Sequence, residues 1–146
     1  MEGIVVAIAD GDTITLLDAT KTQHKVRLAG IDAPEKKQAF DNVSWQWLGG
    51  LVFQRTVTVE YTKSDRYGRL IGKVSVADRD ANLAQVTAGM AWHYKKYAKE
   101  QRLADRVSYA EAEHDARTAH HGLWQDAPSI PHWDFRERAR HSQGGS

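Results

Sequence analysis

The chain has 146 residues, 41% of them apolar and 27% charged, a length and balance that suit one folded domain with its own core and leave little for a second. No apolar run approaches the ~20 residues of a membrane-crossing helix, and the lack of cysteine excludes disulfides and thiolate metal sites alike. The net charge of +1 conceals an asymmetry: residues 1–35 hold six acids and three bases, the remainder 13 acids and 17 bases. Lys63, Arg66, Arg69 and Lys73 form one basic cluster, and Lys95, Lys96, Lys99 and Arg102 a second. Such patches attract a polyanion even near zero total charge, although the second reads equally well as a solvated helix face. Met1-Glu2-Gly3 leads into a strand pattern with no basic and apolar leader. The sequence leaves location open: secreted or periplasmic if an export signal has been removed, otherwise cytoplasmic.

In chain order, residues 4–8 form a β-rich run bounded by Asp10-Gly11, a hairpin signal. Ile14 and Leu16 mark a second strand, and Val26, Leu28 and Ile31 a third. Residues 38–53 have helical character. Val57, Val59 and Tyr61 alternate with Thr56, Thr58 and Glu60, the pattern of a half-buried fourth strand. The turn 65–68 joins it to a fifth marked by Leu70, Val74 and Val76. Residues 81–91 predict a second helix, with Gly89 as its stop or a local turn. Residues 103–119 predict a third, with Leu103, Val107 and Ala110 at helical spacing and Gly122 in the place of a left-handed cap. After Trp124 the composition shifts to proline, arginine and glycine, so residues 125–146 read as a flexible extension. The expected fold class is α+β, mainly β: a small closed five-stranded barrel of the OB type with about three helices.

Two segments carry chemistry. Asp10-Gly11-Asp12-Thr13 opens the second strand, and Arg27-Leu28-Ala29-Gly30-Ile31-Asp32-Ala33-Pro34-Glu35 closes the third. Carboxylates at neighbouring strand ends converge at a sheet's rim, where Asp12, Asp32 and a carbonyl at Ala33 suit a hard cation such as Ca²⁺. Asp-Gly-Asp alone is better explained as a turn; Asp32 with Glu35 beside it shifts that balance. Arg27 alternates with Val26 and Leu28, so it leaves the opposite face, and Arg69 in Asp65-Arg66-Tyr67-Gly68-Arg69 is out of phase with Leu70, Val74 and Val76. Both arginines are therefore expected at the barrel's outer surface or end. Two guanidinium forks beside a cation are what metal-assisted phosphodiester cleavage requires. Pro34 stiffens the loop that carries Glu35, a candidate proton acceptor.

In order and spacing, Asp-Gly-Asp-Thr, Arg-x-x-x-x-Asp-x-Pro-Glu and Asp-x-Tyr-Gly-Arg resemble the staphylococcal nuclease (thermonuclease) family over residues 5–124. The resemblance implies the same barrel, with a nuclease-like domain at 1–124. It also implies Ca²⁺-dependent endo- and exonucleolytic hydrolysis of DNA and RNA to 3′-phosphate ends. Asp12 and Asp32 match the family's metal carboxylates and Ala33 its carbonyl ligand. The best-known member has threonine at that last position, so a hydroxyl contact is absent here. Arg27 and Arg69 match the paired arginines, and Glu35 the residue regarded as general base or as organiser of waters. Arg66 and Tyr67 resemble a Lys-Tyr pair that contacts a terminal phosphate, with arginine replacing lysine.

Of Tyr94 and Tyr97, set among lysines, Tyr94 is the candidate for stacking on a base. The histidines show no ligand spacing and are expected at the surface. Trp45 and Trp47 lie ~200° apart on a helix, so at least one is exposed. That face is a candidate contact for a second copy of the chain or a nucleic acid, against the plainer alternative of a repacked core. Gly49-Gly50 predicts a kink or an early helix end. The alternative function is a non-catalytic nucleic-acid-binding OB-fold module, although such a module gains nothing from three acids that repel phosphate. A peptide-binding barrel would leave the paired arginines unexplained.

Overall fold

The computed structural model describes residues 1–35 and 38–125, with the side chains of residues 95–97 excepted. Of the expected extension only Gln125 falls within them. Alternation writes the first strands: in β1 (Glu2–Asp10) and β2 (Thr13–Leu17) the apolar side chains of Val5, Ile14 and Leu16 turn inward and are wholly buried. Asp10 pairs with Thr13, so the two strands are joined by a two-residue turn. β3 (Gln23–Leu28) lies antiparallel to β2. β5 (Thr56–Ser64) lies antiparallel to β1 and to β6 (Leu70–Val76). β3 then pairs in parallel with β6, Val26 to Leu70 and Leu28 to Gly72. That last pairing closes five strands into a barrel, the expected OB-type α+β architecture.

Three short strands complete the sheets: β4 (Ile31–Asp32), β7 (Arg79–Asp80) and β8 (Trp92–His93). The third strand expected to run through Ile31 is instead broken at Ala29-Gly30. Gly30 adopts φ +76°, and a Cβ there would drive into the Gln101 amide. The break turns the chain, and β4 pairs with β8 in a separate two-stranded sheet.

The barrel core of Val5, Ile14, Leu16, Val26, Leu28, Val57, Val59 and Val74 is capped by Leu48 and Val52 of α1 (Asp41–Val52) and by Val86 of α2 (Ala81–Thr87). α3 (Leu103–Thr118) adds Tyr109, whose hydroxyl donates to Asp80 Oδ2 at 2.6 Å. Burial, then the negative charge of Asp80, drive that phenol's pKa far up, so it stays protonated. Trp92, Ala116, Leu123 and Trp124 form a second apolar cluster. Among the described residues no helix is long and apolar enough to cross a membrane.

Several sequence expectations change. α2 stops at Thr87, with Gly89 at φ +73°, four residues before the expected end. The left-handed residue that ends α3 is His120, at φ +57°, not Gly122. Gly122 is needed because a β-carbon there would collide with the Gly89 carbonyl, whose oxygen accepts from Leu123 N–H at 2.8 Å. α1 runs through Gly49 and Gly50 to Val52. Both Trp45 and Trp47 are exposed, with Trp45 Nε1 donating to Ile8 O at 2.7 Å. His93 is buried rather than superficial: its Nε2 lies 2.9 Å from Gln101 Oε1 and its ring meets Tyr109 edge-on.

Candidate active site

The β1–β2 turn delivers the first carboxylates. Asp12 is 8% exposed. Its Oδ1 accepts from the Thr13 hydroxyl at 2.9 Å, and its Oδ2 accepts from Ala33 N–H at 2.9 Å. Its carbonyl accepts from Leu28 N–H at 2.8 Å. One residue is thus bonded both to the end of β3 and to the residue following β4. Asp32, also 8% exposed, immediately precedes Ala33. The turn is braced from behind by Gln85, wholly buried in α2, whose Nε2 donates to Gly11 O at 2.9 Å and to Ser44 O at 3.2 Å.

Asp10 belongs to the same group, although the sequence marked it only as a turn former. Its Oδ1 accepts from Asp12 N–H at 3.0 Å. Loss of water, then a hydrogen bond that protonated Asp10 donates to the Asp12 carboxyl and the charge of that carboxyl, push its pKa up, even though much of the residue faces solvent. Two neighbouring carboxyl groups form a place that suits a cation, which relieves the repulsion between them. The donor set of oxygens suits a hard cation such as Ca²⁺. Among the described residues no three His, Asp or Glu side chains form a cage, so a bound ion would complete its shell with water and substrate oxygens.

Arg27 departs from expectation. It leaves the face opposite Val26 and Leu28, yet it is only 7% exposed. Glu100, the last residue of the 3₁₀ segment Lys95–Glu100, lies against it. Arg27 Nη2 donates to both Glu100 Oε1 and Oε2 at 2.9 Å, and Nη1 lies within 3.5 Å of the carbonyls of Leu28 and Ile31. Nothing in the sequence spacing marked Glu100, 73 residues away.

Arg69 comes from the β5–β6 turn. Arg69 immediately precedes β6, two positions before Ile71, the residue that pairs with Arg27. Its Nε donates to Asp65 Oδ2 at 2.7 Å, and its backbone N–H to Asp65 Oδ1 at 3.0 Å. Asp65 also accepts from Tyr67 N–H. Burial alone would raise the Asp65 pKa, but these donors and the Arg69 charge outweigh it and hold the carboxyl below its ordinary value. Tyr67 is 68% exposed, with the guanidinium of Arg66 4.9 Å and that of Arg69 5.6 Å from its ring centre.

Glu35 is half-buried. Its N–H donates to Gln38 Oε1 at 3.2 Å and its carbonyl accepts from Gln38 N–H at 2.9 Å, a turn that follows the buried Pro34. Tyr94, also half-buried, donates its backbone N–H to Gly30 O at 3.0 Å, beside β4. The hydrogen bonds therefore bring Asp10, Asp12, Arg27 and the start of the 32–35 loop together. Arg69 stands just outside the β3–β6 pairing that holds Arg27.

A family profile described as Staphylococcal nuclease homologue matches residues 25–126. The chain is 40% identical over 139 residues to an uncharacterized endonuclease of Escherichia coli O157:H7, covering 94% of this chain and 86% of that protein. It is 38% identical over 149 residues to a micrococcal nuclease of Shigella flexneri, covering 96% and 83%. It is 30% identical over 121 residues to a probable staphylococcal-like nuclease of Oryza sativa subsp. japonica, covering 83% and 31%. Barrel topology, ordered motifs and these matches agree: the chain belongs to the staphylococcal nuclease family.

Proposed function

We propose that this protein is a Ca²⁺-dependent nuclease that hydrolyses DNA and RNA with little sugar specificity, as endo- and exonuclease, leaving 3′-phosphate ends. The observation that carries the reading is the burial of Asp12, Asp32 and Arg27 at one end of the barrel, where an apolar core has no need of them. Burying charge is costly: Glu100 compensates Arg27, and a cation would compensate the buried acids Asp12 and Asp32. Asp12, Asp32 and the Ala33 carbonyl would hold the ion, which would supply Lewis-acid polarisation of a phosphoryl oxygen. Arg27 and Arg69 donate to non-bridging oxygens as negative charge grows on phosphorus, and one of them assists the departing 5′-oxygen. Glu35 takes the proton of the attacking water or holds that water in line. Arg66 and Tyr67 receive a terminal phosphate, and Tyr94 stacks on a base. Relatives named as nucleases support the reading, and buried acids weigh against a binding module without catalysis.

Purified protein incubated with single-stranded DNA and RNA, with Ca²⁺ or with chelator, tests this. The expected outcome is Ca²⁺-dependent cutting of both polymers to 3′-phosphate ends. Cleavage that survives chelation, or products with 5′-phosphates, would overturn the metal role or the bond assignment. Binding without cutting would leave a non-catalytic module.

A further inference from the structure

The nuclease reading uses Arg27 but not the carboxylate that holds it. The Glu100 side chain is 4% exposed. It accepts two bonds of 2.9 Å from Arg27 Nη2 and a third, of 3.2 Å, from Gly30 N–H. Lys63 Nζ stands 3.9 Å from its other oxygen. Gly30 lies in the turn that separates Arg27 from Asp32, so Glu100 grips both the guanidinium and the backbone that sets it apart from the metal ligands. Glu100 ends the 3₁₀ segment that follows Tyr94, and that segment reaches the barrel through this carboxylate.

A surface ion pair would mean little. This one is different because both partners are out of water and the guanidinium is the group assigned to the phosphate. Resting on the nuclease reading, we propose that Glu100 is a positioning residue that fixes the plane and reach of Arg27, so that the guanidinium meets the phosphate in the transition state. Glu100 itself touches no substrate. It also neutralises Arg27 in the resting site, so Arg27 acts through aimed hydrogen bonds rather than as a loose positive charge. Removing the carboxylate should therefore leave ground-state attraction for phosphate intact or stronger while spoiling the aim. Misplacement of about 1 Å is enough to cost on the order of 10²-fold in rate.

The test is a cycle of wild type, Glu100→Gln, Arg27→Gln and the double variant, assayed with Ca²⁺ on single-stranded DNA at a temperature where circular dichroism shows all four folded. Glu100→Asp joins the set as a shorter carboxylate that restores charge but not reach. In E100Q we expect kcat to fall roughly 10- to 100-fold with KM unchanged or lower. In the R27Q background the same change should alter kcat less than about threefold, and E100D should recover part of the loss. Nitrogen-15 NMR of the Arg27 guanidinium, which needs no catalysis, should show restricted Nη2 rotation in wild type and free rotation in E100Q. E100Q at wild-type kcat, or an equal loss with and without Arg27, overturns the inference while leaving the nuclease reading in place. A wild-type protein that cuts nothing, with the guanidinium signal still restrained, overturns the nuclease reading and takes the catalytic part of the inference with it.

Discussion

Arg69 shows how much of a role resides in one side chain's shape. Lysine would keep the charge and lose the planar fork, so Arg69→Lys should lower kcat on DNA by about 10²-fold while the melting temperature stays within a few degrees. Steady-state rates and calorimetry check the two halves, and wild-type rates would remove the transition-state role. Asp65 carries a pH dependence. Its folded pKa lies below the unfolded value, so its contribution to stability is present above the ordinary carboxylate range and is lost as pH falls through the folded value. Wild type should therefore exceed Asp65→Asn in stability at pH 7, and the gap should close below about pH 4 in acid unfolding curves. A gap constant with pH would show that the turn does not depend on this carboxylate.

At the scale of elements, α1 is a helix that tolerates two glycines at a cost. A Cβ on Gly50 would meet nothing within 4 Å, and on Gly49 only Ile8 at 3.8 Å. Gly50→Ala should raise unfolding free energy by about 0.5–1 kcal/mol, read as a higher urea midpoint at unchanged slope. The exposed indoles of α1 remain a proposed contact face for a second copy, which sedimentation velocity over a concentration series would reveal as a growing dimer peak. Strands declared themselves through alternation, as Val57 and Val59 did, because a barrel wall buries every second residue. β4, β7 and β8 did not, since two-residue strands have no period to read. The acids and arginines were visible because turns and strand ends are local. Glu100 and Gln85 were not, because only barrel closure carries them to residues 27 and 11. Arg27 was placed on the correct face, but its burial depends on a segment arriving from far down the chain.

For the whole molecule, the expected unit 1–124 can be set against packing. Leu123 and Trp124 are 6% and 7% exposed and join Trp92 and Ala116. A chain ending at Gln125 should melt with the full-length protein, whereas one ending before Leu123 should be destabilised by several kcal/mol, as calorimetry would show. Asp12 and Ala33 touch only because β1, β2 and β3 are already in register. The unfolded polymer therefore offers no comparable pocket, and occupancy and conformation draw on a single equilibrium. Saturating Ca²⁺ together with a nucleotide bearing phosphates at both ends should delay thermal denaturation, by about 2.7 kcal/mol at a hundred times the dissociation constant. On the proposed reading, an organism with such a protein would find it sturdiest where its cargo and calcium are abundant, and easiest for proteases to clear where both are scarce.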